Sequence, residues 1–439
     1  MWKRSWFRWT VRCVALLLLA TLSITFFYRW RGENELAEAR KEFTEKVGPL
    51  DIEAYKPKPV REEDNGWTWL KAGAGAVVIF PDERPNLHAL ADTPASQWTK
   101  EQLDLAARLL DRNAPALTLL HRSIGAKMCN PDAALFNGED LLPFIMASRM
   151  LAVDGRDALR QGDKDRFLGS AEALGVLASA MEGAPSAISA LIGGASERLL
   201  IPVLWEAASA HTADASFIEQ LKTLLPRVDL AKTWRSFVGH ENATMLDLMA
   251  RATDESGDDT KVGWLDQLRQ WTLGDIDLAY ILGMRAGDVE WASKPCGQRG
   301  DYPPAPPRPI LLPLKGMWSA AEVFRGESRF NASGRMQATM ALRQMTALGL
   351  EVREVGLESA TYPPDLSAIP GAKVPDPFMG KPVTYSLNAD RSATLTVPDA
   401  EALYKKITEG KGATVKFTWT LPPLSPALPA PGRARTRPG

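Results

Sequence analysis

The stretch CVALLLLATLSITFFY, Cys13–Tyr28, decides how the rest of the chain is read. It holds no charged residue, yet Lys3, Arg4, Arg8 and Arg12 precede it and Arg29 and Arg31 follow it. As a helix it is roughly 24 Å long, somewhat less than a hydrocarbon core of ~30 Å. Extending it to Val11–Trp30 supplies the missing length. Arg12 and Arg29 can snorkel, and Trp2, Trp6, Trp9 and Trp30 suit the headgroup level. A signal peptide shares the basic start and short apolar core. However, Phe26-Phe27-Tyr28-Arg29-Trp30 offers no small-x-small cleavage site. The segment therefore reads as an uncleaved anchor embedded in a lipid bilayer.

The flanks orient it. Basic residues are denser before the span than after it, where Glu33, Glu35 and Glu38 dilute Arg29 and Arg31. The positive-inside rule places the N-terminus in the cytoplasm. In a bacterium this gives a single-pass inner-membrane protein with a periplasmic body.

That body is most of a 439-residue chain, enough for two or three ordinary domains or one helical array. Net charge is −1, and no Lys/Arg stripe occurs beyond the first twelve residues, which argues against a nucleic-acid partner. Two of the three cysteines, Cys129 and Cys296, lie outside the anchor. An oxidising compartment would allow them to pair; two buried free thiols is the simpler expectation.

Expected organisation runs as follows: residues 1–32, basic-aromatic segment and anchor; 33–64, stalk helix and proline linker; 65–300, helical-hairpin body. A proline-rich linker at 301–313 leads to helical continuation over 314–350, a small α+β module over 351–420 and a disordered tail at 421–439. In the body, Thr99 can cap Lys100–Arg112 with Gln102 closing a capping box. Further helices are expected over Ala114–Ala126, Glu139–Leu159, Arg166–Glu182 and Ser186–His211, the last kinked or divided at Pro202. Ala215–Leu225, Leu230–Val238, Thr244–Arg251, Trp264–Trp291 and Trp318–Leu348 continue the pattern. Short connections make neighbouring helices antiparallel, and Ala158–Asp163, with its turn at Gln161-Gly162-Asp163, joins two helices as a tetratricopeptide turn does. No fixed repeat period accompanies it. The fold class is thus mainly α: irregular stacked helical hairpins behind one transmembrane helix, closed by a small α+β module. Strands are expected at Val383–Leu387, Ala393–Val397 and Val415–Trp419, with a helix at Asp399–Ile407 between the last two.

These pieces resemble a group of bacterial membrane-anchored helical proteins that carries no established activity. The resemblance rests on Glu63-Asp64-Asn65, Asn113-Ala114-Pro115-Ala116-Leu117 and Gly239-His240-Glu241 before helices, and on the C-terminal layout. There, Tyr362-Pro363, then Asp376-Pro377-Phe378 with Gly380-Lys381-Pro382 and Tyr385, is similar to the end of major type II secretion pseudopilins. The pseudopilin processing motif is missing, so the resemblance implies a shared small module and no shared function.

Motifs that carry chemistry are scarce. His88, His121, His211 and His240 form no metal-spaced pair, and no CxxC, Walker loop, dinucleotide fingerprint or GxSxG occurs. No cofactor is implied. His240-Glu241 is the best acid–base pair, but adjacent helical residues point about 100° apart. Asp275 and Asp277 suit a helix cap or a cation, and Asp376 suits a proline-fixed turn or calcium. Gly193-Gly194-Ala195-Ser196 suits close helix packing. The fourteen tryptophans suggest helix packing and one aromatic groove. The expected role is a scaffold or accessory protein binding another envelope protein. Two alternatives are a carboxylate-dependent envelope hydrolase or glycan-acting enzyme, and a small-ligand-binding helical domain.

Overall fold

The computed structural model describes residues 2–56, 58, 60–126, 128–131, 141–184, 186–210, 212–255, 264–300, 327–409 and 415–424. Among them are thirteen α-helices and one three-stranded antiparallel sheet, so the chain is mostly helical with a small C-terminal sheet. The proline-rich linker at 301–313, Trp318–Gly326, His211 and the tail beyond Leu424 lie outside the described residues.

The chain divides into two compact units. The first takes in residues 1–55 and 235–293. Its helix α1 runs without interruption from Trp2 to Lys46. It crosses the expected anchor–stalk boundary after residue 32 without a break: nothing between Tyr28 and Lys46 stops a helix, and Pro49 is the first proline. Within Cys13–Tyr28, Leu16, Leu17, Leu18 and Leu19 are all exposed, and only Thr25 and Tyr28 near its end are partly covered. It is long and apolar enough to span a membrane. Beyond it, Leu36, Ala39, Phe43 and Val47 form a buried stripe at helical spacing. This stripe belongs to the pairing of α1 with α11 (Trp264–Ser293). Close approach is permitted by Gly32, where an added Cβ would lie 3.1 Å from Ile276. Lys46 Nζ reaches Glu290 at 3.1 Å farther along.

α10 is a single helix, Leu230–Glu255, where two helices were expected. Gly239-His240-Glu241 consequently lies inside a helix and does not precede one. Gly239 costs helix propensity but makes room for the Tyr55 side chain, which a Cβ would strike. Tyr55 is fixed in turn by donating its hydroxyl to the Pro49 carbonyl at 2.7 Å.

The second unit takes in residues 56–234, 294–300 and 327–439. It opens with α2 (Gly66–Gly75), capped by Asn65, whose side chain accepts from Trp67 N at 3.1 Å. α3 (Arg84–Asp92), α4 (Lys100–Arg112) and the short α5 (Ala114–His121) follow. The Thr99–Gln102 capping box on α4 is present in both directions. α6 (Leu142–Gln161) and α7 (Lys164–Gly183) form a hairpin. Gly162, at φ 77°, makes the left-handed stop, and Asp163 caps α7 by accepting from Arg166 N. α8 (Ala187–Ser209) returns along α7 and stays helical through Pro202, although that residue has no N–H for the Arg198 carbonyl. α9 (Ala215–Thr223) completes the series.

α12 (Glu327–Ser359) packs on α8 and α9 and crosses the expected boundary at residue 350 without a break. The C-terminal module is built onto it. β1 (Thr384–Leu387), β2 (Ala393–Thr396) and β3 (Thr418–Leu421) pair antiparallel in chain order. The last strand sits three residues later than expected, and α13 (Ala400–Ile407) connects β2 to β3. Alternation on β3 buries Trp419 and Leu421 and exposes Thr418 and Thr420. Gly349 of α12 lies directly beneath the Trp419 ring, which fixes the module against the helix.

Candidate functional site

A cleft of about 740 Å³ opens in the second unit between α6, α8, α12 and the C-terminal module. Its size falls within the usual range for small-molecule sites. Ile145 of α6, Ile192 and Leu199 of α8, and Leu342 of α12 supply apolar wall. Trp205 and Trp419 stack in it with centroids 5.3 Å apart and planes inclined by 6°. Trp205 is held by donating its indole N–H to Thr346 Oγ1 at 2.9 Å. The helical body and the sheet thus each contribute one half of an aromatic pair. This is a groove lined by tryptophan from elements more than two hundred residues apart.

Charge in the cleft is unbalanced. Arg149, Arg156, Arg198, Arg335 and Lys416 line it, against Asp92 and Glu206. Arg156 is fully buried, with its guanidinium on Glu206 at 2.8 Å and on the Ala91 carbonyl. Burial raises the Glu206 carboxyl above its ordinary range, and Arg156 opposes that shift. Burial also lowers the Arg149 guanidinium, with Asp92 countering it. Glu206 thus answers Arg156 by direct contact, while Asp92 acts on Arg149 through its charge alone. Arg198 meets only a neutral acceptor, Thr339 Oγ1, at 2.6 Å. Arg335 leaves its Nε without an acceptor, and Lys416 is exposed. Among the described residues, three cations therefore face the cleft with no carboxylate paired to them.

Acidic residues do converge elsewhere in this unit. Glu182 of α7 and Glu197 of α8 are both fully buried and share Arg343 of α12. Arg343 also donates to the Val228 carbonyl at 2.6 Å. Burial, followed by the Glu197 charge, holds the Glu182 carboxyl well above the ordinary carboxylate range, while Arg343 pulls it down. Neither acid lines the cleft. The cluster ties three helices together and presents no carboxyl to a substrate.

A serine, a histidine and an aspartate also meet between α5, α6 and α7. His121 Nε2 lies 3.1 Å from Ser170 Oγ, and Ser170 donates to Asp154. Arg166 holds the same carboxylate at 2.5 Å. The wiring differs from a nucleophilic triad, in which the acid orients the histidine and the histidine activates the serine. Here the acid takes the serine proton directly, and Ser170 is completely buried. It is a packing network of the hairpin.

The residues singled out from sequence fall as follows. His240 and Glu241 are partly buried in mid-α10, with the His240 ring edge-on to Tyr55 at 5.8 Å. Asp275 lies in the middle of α11, near Gly32, and caps nothing; Asp277 shares that helix, with its side chain outside the described residues. Asp376 is buried, and its carboxylate accepts from Phe378 N at 2.9 Å, Met379 N at 2.7 Å and Lys381 N at 3.3 Å. Backbone donors therefore saturate it within a proline-flanked turn. Among the described residues no group of three or more His, Cys, Asp or Glu side chains could hold a metal. Cys129 and Cys296 are unpaired: burial raises both thiols, Cys129 to about 12. Trp6, Trp9, Arg12 and Trp30 project outward from α1, whereas Arg29 pairs with Glu33 at 3.0 Å; the Trp2 side chain is outside the described residues.

Sequence reasoning missed Arg198, Arg335, Trp205 and Trp419 as neighbours. The available signal was a charged residue embedded in the apolar α8 pattern, next to the packing glycines. The chain matches no family model, no curated protein and no solved structure.

Proposed function

We propose that this chain is a single-pass membrane-anchored binding protein, with its N-terminus cytoplasmic and its second unit holding a small ligand in the cleft described above. The observation that carries the reading is the cleft itself: apolar wall, a stacked tryptophan pair and an excess of cationic side chains. The anchor is supported by the exposure of Leu16–Leu19 around the whole circumference of α1. A helix apolar on every face needs either protein or lipid around it.

Two measurements test it. Alkaline phosphatase and green fluorescent protein fused after Gly48 report topology; an active phosphatase and a dark fluorophore are expected. The purified chain, denatured and extracted, should release a small molecule visible by mass spectrometry. Ala195 is exposed and lines the cleft, so Ala195→Trp should fill the space and abolish that release. Equal release from the variant would sink the ligand reading. A protein that co-purifies in place of any small molecule would favour the envelope scaffold instead.

A further inference from the structure

Resting on that ligand-binding reading, we infer that the cleft takes an anionic amphiphile, with one carboxylate or phosphate head on Arg198, Arg335 and Lys416 and one alkyl chain along the apolar wall. The chemistry of the lining selects this class. Five cations and two acids surround the space, and both acids already have a cation to answer. An oxyanion is the complement of a guanidinium left with a neutral partner or none. Hydroxyls of Ser148 and Ser196 also line the space but bond to each other, and the apolar part of the wall suits an alkyl chain. It is built from Ile145, Leu199, Leu342 and the Trp205–Trp419 stack, against which methylene groups lose their contact with water. Arg198 and Arg335 come from α8 and α12, joined through Thr339, so the two guanidinium groups belong to rigid elements. Lys416 approaches from the C-terminal module.

The test is equilibrium dialysis of radiolabelled decanoate, decyl phosphate, decanol and decyltrimethylammonium. It uses the full chain in lipid nanodiscs, and uptake by protein-free nanodiscs of the same lipid is subtracted. After that subtraction both anions should bind at least about tenfold tighter than decanol or the cation. Preference for the carboxylate would point to free fatty acids, and preference for the phosphate to phospholipid-type headgroups. The double variant Arg198→Gln/Arg335→Gln should weaken the anions by about tenfold and leave decanol unchanged. Lys416→Gln, on an exposed side chain that folding does not need, should weaken them about threefold. Decanol binding as tightly as decanoate would overturn the inference while leaving the ligand-binding reading intact. So would anion affinities untouched in a folded double variant or in Lys416→Gln. Probe uptake no greater than that of the empty nanodiscs, together with no molecule released from the native chain, would remove both.

Discussion

Arg343 and Glu197 meet through two N–H···O contacts, Nε to Oε1 at 2.6 Å and Nη2 to Oε2 at 2.5 Å, with the carboxylate fully buried. The same Nη2 lies 3.0 Å from Glu182 Oε2. One guanidinium thus serves two carboxyl groups in an interior that cannot stabilise a net negative charge. The fold resolves this by keeping the Glu182 carboxyl protonated to a higher pH.

The pH dependence has a definite sign. A carboxyl whose pKa is raised by folding binds more protons folded than unfolded, so stability falls as pH rises above the unfolded value near 4.5. Glu182→Gln, which mimics the protonated form, should flatten that decline. Glu197→Gln should instead destabilise by roughly 3–5 kcal/mol, because Arg343 loses its bidentate partner. Urea titrations of both variants between pH 5 and 8 check this, and an unchanged pH slope in Glu182→Gln would rule it out.

Gly193 of α8 sits against the α7 backbone, where an added Cβ would lie 2.7 Å from the Ala178 carbonyl oxygen and 2.6 Å from Glu182 Cγ. Gly193→Ala should separate α7 from α8 and cost about 1–3 kcal/mol. Gly183, whose Cβ would meet nothing within 4 Å, is the matched control. Equal melting temperatures for the two alanine variants would show that the helices do not pack as described.

Thiol labelling reads burial directly. Native protein at pH 8 should leave Cys129 and Cys296 unmodified by iodoacetamide, since their thiolates are suppressed, and denaturant should release both. Non-reducing gels should show no intramolecular bridge. Rapid native labelling of Cys296 would contradict its placement.

Phe43 is fully buried on the stripe that α1 turns toward α11. Phe43→Ala should cost about 3–5 kcal/mol and loosen α11. Hydrogen exchange along α11 would record it, and unchanged protection would mean the α1–α11 pairing does not form.

The sequence reading succeeded where local rules decide. Thr99 and Gln102 make a capping box by themselves, Gly162 makes a left-handed stop whatever packs on it, and the alternation over Ala393–Thr396 defines a half-buried strand. It failed where tertiary contacts overrule propensity. Gly239 suggested a helix boundary, yet Tyr55 packing keeps α10 intact across it. Pro202 suggested a kink or a division in α8, and the helix is not divided there, its buried neighbours Ile201 and Val203 continuing it. The cleft was out of reach for a different reason. Trp205 and Trp419 become neighbours only through α12, and no spacing rule links side chains across that distance. Arg343, Glu182 and Glu197 escaped likewise, each resembling an ordinary surface charge until its helix is packed.

An unbroken α1 leaves no swivel between its apolar segment and its buried stripe. At 1.5 Å per residue, the segment from Arg29 to Lys46 projects roughly 25 Å as a stiff rod continuous with the exposed apolar turns. α11 is clamped along that rod by Gly32, Phe43 and the Lys46–Glu290 pair. Any tilt of the apolar turns is therefore carried straight to the part of α1 that pairs with α11.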